Sequence, residues 1–325
     1  MFITVCLIVF YVLSAAPLQG SEPRPVKTFG GSLLWGDVLF DSDWHIQQNI
    51  KTDSCRLLDS KSVQYAFGSF EECKERLEQM KIDEGVLPMS GCAVIILHGY
   101  ASNASMLRKL ADYLKENKTH DHIFCMSYPS TMQPILEHSK RLQQVVDNLP
   151  PTIRRIDFIG HSLGSIVIRR YLSGPLDENW QVPPNPLEYR KTFSPAGLLP
   201  SRIGQFVMIG PPNHGAELAK KMIGKAPLRR FLTGKSGDEL GTDWDETEKS
   251  LGIPCCRFIV IAGGKGDDKG YSSLIPDDDD GIVSTEGTKL EGAAQWKCFP
   301  LKHGELLQNT EVFDVIKKIL SLSGG

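Results

Sequence analysis

The stretch Ile156-Asp157-Phe158-Ile159-Gly160-His161-Ser162-Leu163-Gly164-Ser165-Ile166-Val167 constrains this chain more than any other. A short, mainly apolar run ends at Gly160, a serine stands between two glycines, and a helical pattern follows at once. This is the setting in which G-x-S-x-G forms a nucleophile elbow, where a strand reverses into a helix within a few residues. The reversal forces the serine into a strained backbone conformation. Gly160 and Gly164 remove the side chains that would collide where strand and helix meet. The turn lifts the Ser162 hydroxyl above the sheet edge, at a helix N-terminus whose unpaired N–H groups favour negative charge.

Such an elbow needs a strand–helix layer around it, and the sequence from Gly91 onward supplies one. Cys92–Leu97 is a continuous apolar run, as expected for a parallel strand covered on both faces, and it ends in His98-Gly99-Tyr100. A helix is expected from Asn103 to Asn117, with Met106, Leu107, Leu110 and Leu114 at helical spacing. The strand His122–Tyr128, a helix Gln133–Leu149 stopped by Pro150-Pro151, the strand Ile156–Ile159 and the elbow helix to about Leu172 follow. Further strands are read at Gln205–Ile209, Arg257–Ala262 and Ala294–Phe299, with a closing helix Thr310–Leu320. This alternation predicts an α/β fold with a doubly wound, mostly parallel sheet. Two stretches break it. Residues 174–202 are Pro-rich and carry Trp180, Tyr189, Phe193, Leu198 and Leu199, so they read as an insert and a candidate lid. Residues 221–250, with Gly224, Gly234, Gly237 and Gly241, read as loop-rich.

Ahead of Gly91 lies a preamble, with a strand read within Phe29–Phe40 and a helix over Ser69–Met80. Trp35 and Trp44 read as anchors covering part of the core. The absence of a Pro/Ser-rich linker before Gly91 argues for a decoration on one domain. Phe2–Leu13 is an uninterrupted apolar run followed by small residues, too short for a comfortable membrane span and ending as a secretory signal does. It contains no Lys or Arg. Cleavage is expected between Ala15 and Gly20, with an uncleaved anchor as the alternative. The expected organisation is therefore a leader at 1–20, an extension at 21–90 packed on the core, and an α/β domain carrying the elbow at 91–325 with the insert 174–202. The expected location is outside the cytoplasm, secreted or periplasmic, with anchoring in a membrane by an uncleaved N-terminus as the alternative.

Composition excludes one class of partner. Lys and Arg number 36 against 39 Asp and Glu, a net charge of −3 with no basic block, and a nucleic-acid partner leaves a basic footprint. One of the eight cysteines, Cys6, lies in the leader; the odd number left means that at least one is unpaired or pairs between chains. Cys92, Cys125 and Cys256 read as buried thiols in apolar runs, and Cys55 with Cys73 is the pair to test for a disulfide. None shows metal-ligand spacing.

A serine hydroxyl attacks a carbonyl only if a base takes its proton. When the nucleophile sits on such an elbow, its partners follow in chain order, acid then histidine. His303, in Pro300-Leu301-Lys302-His303-Gly304-Glu305, follows the last strand and is the candidate base. Asp280, heading Asp280-Gly281-Ile282-Val283, is the candidate acid that holds the histidine tautomer. Asp279, Asp267 and Asp268 compete for that role, and the run Asp277–Asp280 also reads as a solvated acidic loop or a calcium site. Oxyanion donors are expected from the backbone N–H of Leu163, after the nucleophile, and of Tyr100, after the first core strand. His161 reads as a packing residue, and His214 as one that lines the pocket or serves structure.

Taken together, Gly160-His161-Ser162-Leu163-Gly164, His98-Gly99, Asp280-Gly281-Ile282-Val283 and the late His303 resemble the lipase/esterase branch of the α/β-hydrolase superfamily. Met208-Ile209-Gly210-Pro211-Pro212-Asn213-His214-Gly215 is similar to triacylglycerol lipase-like and GPI-inositol-deacylase-like proteins. The resemblance covers roughly Gly91 to Leu320. It implies a serine hydrolase of acyl esters with the triad on Ser162, Asp280 and His303, no cofactor, a small-molecule or lipid ester substrate and transient contact with a lipid surface. The apolar residues of 174–202 and 227–232 suggest a hydrophobic acyl pocket. Three other readings stay open. One is a thioesterase or acyltransferase on the same triad, another a non-catalytic binding module, the third a surface interaction protein using Trp35 and Trp44.

Overall fold

The computed structural model describes residues 26–27, 33–196, 198–216, 218 and 227–321, with only the backbone of 26–27 and 227–233. The expected leader, 1–20, lies outside the described residues, as does the start of the strand read from Phe29. The extension holds more strands than its sequence suggested. These are β1 (Val26–Lys27), β2 (Trp35–Asp41), β3 (Trp44–Asn49), β4 (Cys55–Asp59) and β5 (Val63–Gly68), antiparallel in the order β1-β5-β4-β3-β2. Helix α1 (Phe70–Glu84) follows. Ser69 caps it reciprocally with Glu72, and Gly85 closes it in the left-handed region at φ 66°.

This sheet and α1 enclose a small core of Val38, Trp44, Ile46, Leu57, Cys73 and Leu77. Trp44 therefore packs within the extension instead of covering the larger domain. Trp35 lies under the Arg56 guanidinium, 4.2 Å from its ring centre. Cys55 and Cys73 are buried there as free thiols, and burial pushes the Cys73 thiol up to about 12. β2 is buried along both faces. While Val38 faces the small core, Phe40 stacks on Phe124 at 4.8 Å within the main one.

The main sheet begins with β6 (Gly91–Leu97), followed by α2 (Arg108–Glu116), β7 (His122–Met126), α3 (Ile135–Asn148), β8 (Ile153–His161) and α4 (Leu163–Ser173). It continues through β9 (Ile203–Ile209), β10 (Phe258–Gly263) and β11 (Gln295–Phe299) to a closing helix, Thr310–Ser321. The order is β11-β10-β9-β8-β6-β7, and every pairing is parallel. The apolar strand runs are read out as two faces. Ile95, Leu97, Phe158, Phe206 and Met208 pack with α3 and α4, and Val94, Ile96, Ile159, Val207 and Ile261 with α2 and the closing helix. Each such fully buried side chain contributes roughly 1.5–3 kcal/mol. β7 and β8 leave β6 in opposite directions, so the C-terminal ends of β6 and β8 form the switch point where open α/β sheets bind ligands.

Two expectations are corrected. Residues 221–250 are not mainly loop: helices Pro227–Leu240 and Trp244–Glu248 lie there. The glycines misled because Gly234, at φ 60°, only kinks the first helix. In the insert 174–202, a short helix spans Pro186–Thr192. Arg190–Ser194 line a cavity of about 760 Å³ with Ile203, Gly204 and Arg257, at the N-terminal ends of β9 and β10. Ser162 follows the C-terminal end of β8, so this part of the insert lies at the opposite sheet edge and is no lid over the serine. The helix Pro227–Leu240 instead meets the loop after β7, where Ser236 Oγ donates to Gln133 O over 2.5 Å.

Candidate active site

Ser162 sits between β8 and α4 at φ 53°, ψ −123°, a region that costs about 1–3 kcal/mol and persists only where the surroundings enforce it. What enforces it is visible. The Ser162 N–H donates to Ile209 O over 2.8 Å, and Ser165 Oγ donates to Gly160 O over 2.6 Å. A Cβ on Gly160 would stand 2.5 Å from the Ser165 backbone, and one on Gly164 2.5 Å from Leu97 O. Strand and helix approach too closely for any residue but glycine. Ser162 is 8% exposed, and its hydroxyl has no hydrogen-bond partner among the described residues. Contacts of this kind tighten when substrate binds.

The acidic run is no solvated loop, because Asp279 and Asp280 are buried. Asp280 Oδ1 accepts the N–H groups of Ile282 and Val283, both at 2.9 Å, which leaves Oδ2 for His303 Nδ1 at 2.7 Å. The competing carboxylates are engaged elsewhere. Asp279 accepts from Gly281 and Ser272, Asp267 pairs with Lys265, and Asp268 is exposed. Among the described residues no group of three or more His, Cys, Asp or Glu is placed to hold a metal ion.

His303 donates from Nδ1 to Asp280, so its neutral ring presents Nε2 as an acceptor. The ring lies against Gly210, where a Cβ would stand 3.0 Å from His303 Cε1 and 3.4 Å from Asp280 Oδ2. Gly210 directly follows Ile209, whose carbonyl holds the Ser162 N–H. The end of β9 thus brings Ser162, His303 and Asp280 to one place. His161 packs beside His303. Its ring is 4.7 Å from that of His303, its Nε2 donates to His303 O over 3.2 Å, and burial, then the His303 charge, pushes it down to about 3.

Leu163 opens α4, and no described residue accepts from its N–H. The loop carrying Tyr100 lies directly against the serine, since a Cβ on Gly99 would stand 3.1 Å from Ser162 Cβ. His214 is exposed beside Glu248, whereas its neighbour Asn213 is buried, donating to Thr288 O and accepting from Arg169. The role of shaping that loop falls on Asn213. Sequence reasoning also passed over Tyr128, which is fully buried and stacks on His98 at 4.4 Å. Its strand-end position was the only signal.

A parallel six-stranded sheet, flanked by helices and with a serine elbow at its switch point, defines the α/β-hydrolase fold. The match of residues 92–193, which include Ser162, to the family model described as "Putative serine esterase (DUF676)" places the chain among the carboxylic ester hydrolases of that fold. Two crystal structures of the Bacillus licheniformis lipase BlEst2 share the architecture. The mature form aligns with a TM-score of 0.50 at 16% identity, covering 72% of this chain and 94% of that one. The propeptide form aligns with a TM-score of 0.53 at 15% identity, covering 72% and 51%. At such identity the likeness is one of fold. No curated protein matches the sequence.

Proposed function

We propose that the protein is an exported, lipase/esterase-like hydrolase of acyl esters, working through Ser162, His303 and Asp280. Ser162 Oγ attacks the ester carbonyl while His303 Nε2 takes its proton, and the same nitrogen returns it to the leaving alcohol. Asp280 holds the tautomer and stabilises the imidazolium. The N–H groups of Leu163 and Tyr100 receive the oxyanion, and water, activated by His303, releases the acid from the acyl-enzyme. The observation that carries the reading is the 2.7 Å Asp280–His303 bond at the strand end that also anchors the Ser162 backbone. Export rests on the apolar leader. Among the described residues no helix is long and apolar enough to cross a membrane.

The test is a fluorophosphonate probe on protein lacking residues 1–20, beside Ser162→Ala and His303→Ala. Labelling of the parent alone, on the Ser162 peptide, with turnover of p-nitrophenyl acyl esters, is the expected result. A folded parent that neither labels nor turns over esters would end the reading. The mature N-terminus of secreted full-length protein, expected from cleavage between Ala15 and Gly20, tests export.

A further inference from the structure

Asp37 is a carboxylate with no exposure, on a strand of the N-terminal extension, and the triad makes no use of it. It stands where β2 and β3 slip register, between Asp37 and Leu39, a bulge of the kind that re-aims a side chain. Its partners belong to both halves of the molecule. Oδ1 faces His45 Nδ1 at 2.6 Å inside the extension. Oδ2 accepts the Ser127 N–H at 2.6 Å, and the Asp37 N–H donates to Ser127 O at 2.9 Å, so one residue grips both backbone polar groups of Ser127. Two buried guanidiniums, Arg56 and Arg141, offset its charge, and Arg141 on α3 also donates to Gly36 O over 3.4 Å.

Ser127 leads into the loop after β7, and the next residue carries the grip onward. The Tyr128 hydroxyl donates to His98 O over 2.5 Å, its N–H reaches His98 Nε2 at 3.5 Å, and its ring stacks on the imidazole. Since Nε2 accepts, His98 carries its proton on Nδ1 and donates to Gly99 O over 2.9 Å. Burial pushes His98 down to about 4, so it remains neutral near pH 7 and keeps that pattern. Gly99 lies against Ser162, and the following residue is Tyr100. The run from Asp37 to the loop beside the nucleophile is unbroken.

We infer that Asp37 is a positioning residue for the oxyanion loop: through Ser127, Tyr128 and His98 the N-terminal sheet sets where the Tyr100 N–H stands relative to Ser162. This rests on the reading of Tyr100 as an oxyanion donor. The extension is then a working part of the site. An oxyanion donor must be held where charge develops in the transition state, so displacing it lowers kcat and leaves substrate binding alone.

The experiment compares full-chain parent, Asp37→Ala, Asp37→Asn, Tyr128→Phe and the Asp37→Ala/Tyr128→Phe double variant. It reads kcat per fluorophosphonate-titrated site, KM, and hydrogen–deuterium exchange of residues 97–101. Asp37→Ala is expected to lower kcat about 10- to 100-fold, part of the 10²–10³ that follows loss of a whole donor, with KM within about threefold. Exchange of 97–101 rises. Asp37→Asn, which keeps an acceptor for Ser127, recovers most of kcat, and the double variant loses less than the product of the two single losses. Unchanged kcat per titrated site and unchanged exchange at 97–101 in Asp37→Ala would overturn the inference and leave the ester hydrolase standing. Should Asp37→Ala not fold, the same readouts in Tyr128→Phe decide. Exchange reports the coupling even in a parent that cleaves no ester, so failure of the hydrolase reading and failure of this inference are separate results.

Discussion

Asp280 holds His303 at two points: its carboxylate accepts from His303 Nδ1 at 2.7 Å, and its carbonyl accepts the His303 N–H at 2.8 Å. Asp280 fixes both the tautomer of His303 and the backbone of the loop that carries it. Because Oδ1 is held by Ile282 and Val283, the carboxylate cannot rotate to satisfy another partner.

Asp280→Asn keeps the shape and removes the charge. An amide NH₂ facing Nδ1 would favour the opposite tautomer, placing the proton on Nε2, where it blocks general-base action. The expected outcome is a loss in kcat on the order of 10⁴ with little change in KM or melting temperature, measured by steady-state kinetics on a short-chain p-nitrophenyl ester.

Gly210→Ala tests the packing of the base. The position has φ 55°, and the added Cβ would meet His303 Cε1 at 3.0 Å. The strained backbone and the contact together displace the ring. A fall in kcat of about 10-fold or more, with slower fluorophosphonate labelling of Ser162, is expected. Parent-like labelling rates would show that the ring tolerates the methyl.

Glu239, in the helix Pro227–Leu240, accepts the Ile135 N–H at the start of α3 over 2.7 Å. Burial pushes its carboxyl up to about 7, opposed by that bond and reinforced by Asp243. An unfolded chain releases this proton near about pH 4.3, so the folded state holds it more tightly between there and about 7. The stability it contributes is full below that window and lost as pH rises through it. Glu239→Gln should lose less stability than the parent between about pH 5 and about pH 8 in urea unfolding, since its amide accepts the same N–H without titrating.

Arg169 is buried on α4 and donates to Gly252 O, Leu251 O, Asn213 O and Asn213 Oδ1. Arg169→Met fills most of the volume and leaves these acceptors unpaired. Destabilisation of about 3 kcal/mol, read by chemical denaturation, is expected. A change below about 0.5 kcal/mol would mean that water replaces the guanidinium without penalty.

The elements that position the candidate site were legible because local physics decides them. The apolar runs at Cys92–Leu97 and Arg257–Ala262 cannot be other than buried strands, and a serine between glycines at a strand–helix junction has few ways to fold. His303 and Asp280 were chosen as candidates by chain order. Strand ends and helix ends moved by a few residues only, as with Gln133–Leu149 against the observed Ile135–Asn148. The preamble was read poorly because β3, β4 and β5 are only five or six residues long with no clean alternation of buried and exposed positions, so their pairing makes them strands. Residues 227–240 were misread because a glycine that kinks a helix and one that ends it look alike in sequence.

The sequence by itself determined the fold class and the elbow, and it offered Ser162, His303 and a short set of aspartates as candidates for the chemistry. Strand periodicity, glycine spacing and side-chain chemistry are local properties that a linear chain carries. Tertiary structure alone decided which aspartate of the run at 277–280 faces His303, that part of the insert 174–202 sits at the far edge of the sheet, and that Asp37 reaches the loop beside Ser162. Those relationships join residues far apart in the chain. They exist only once parallel strand order and two-faced burial have fixed where each loop emerges.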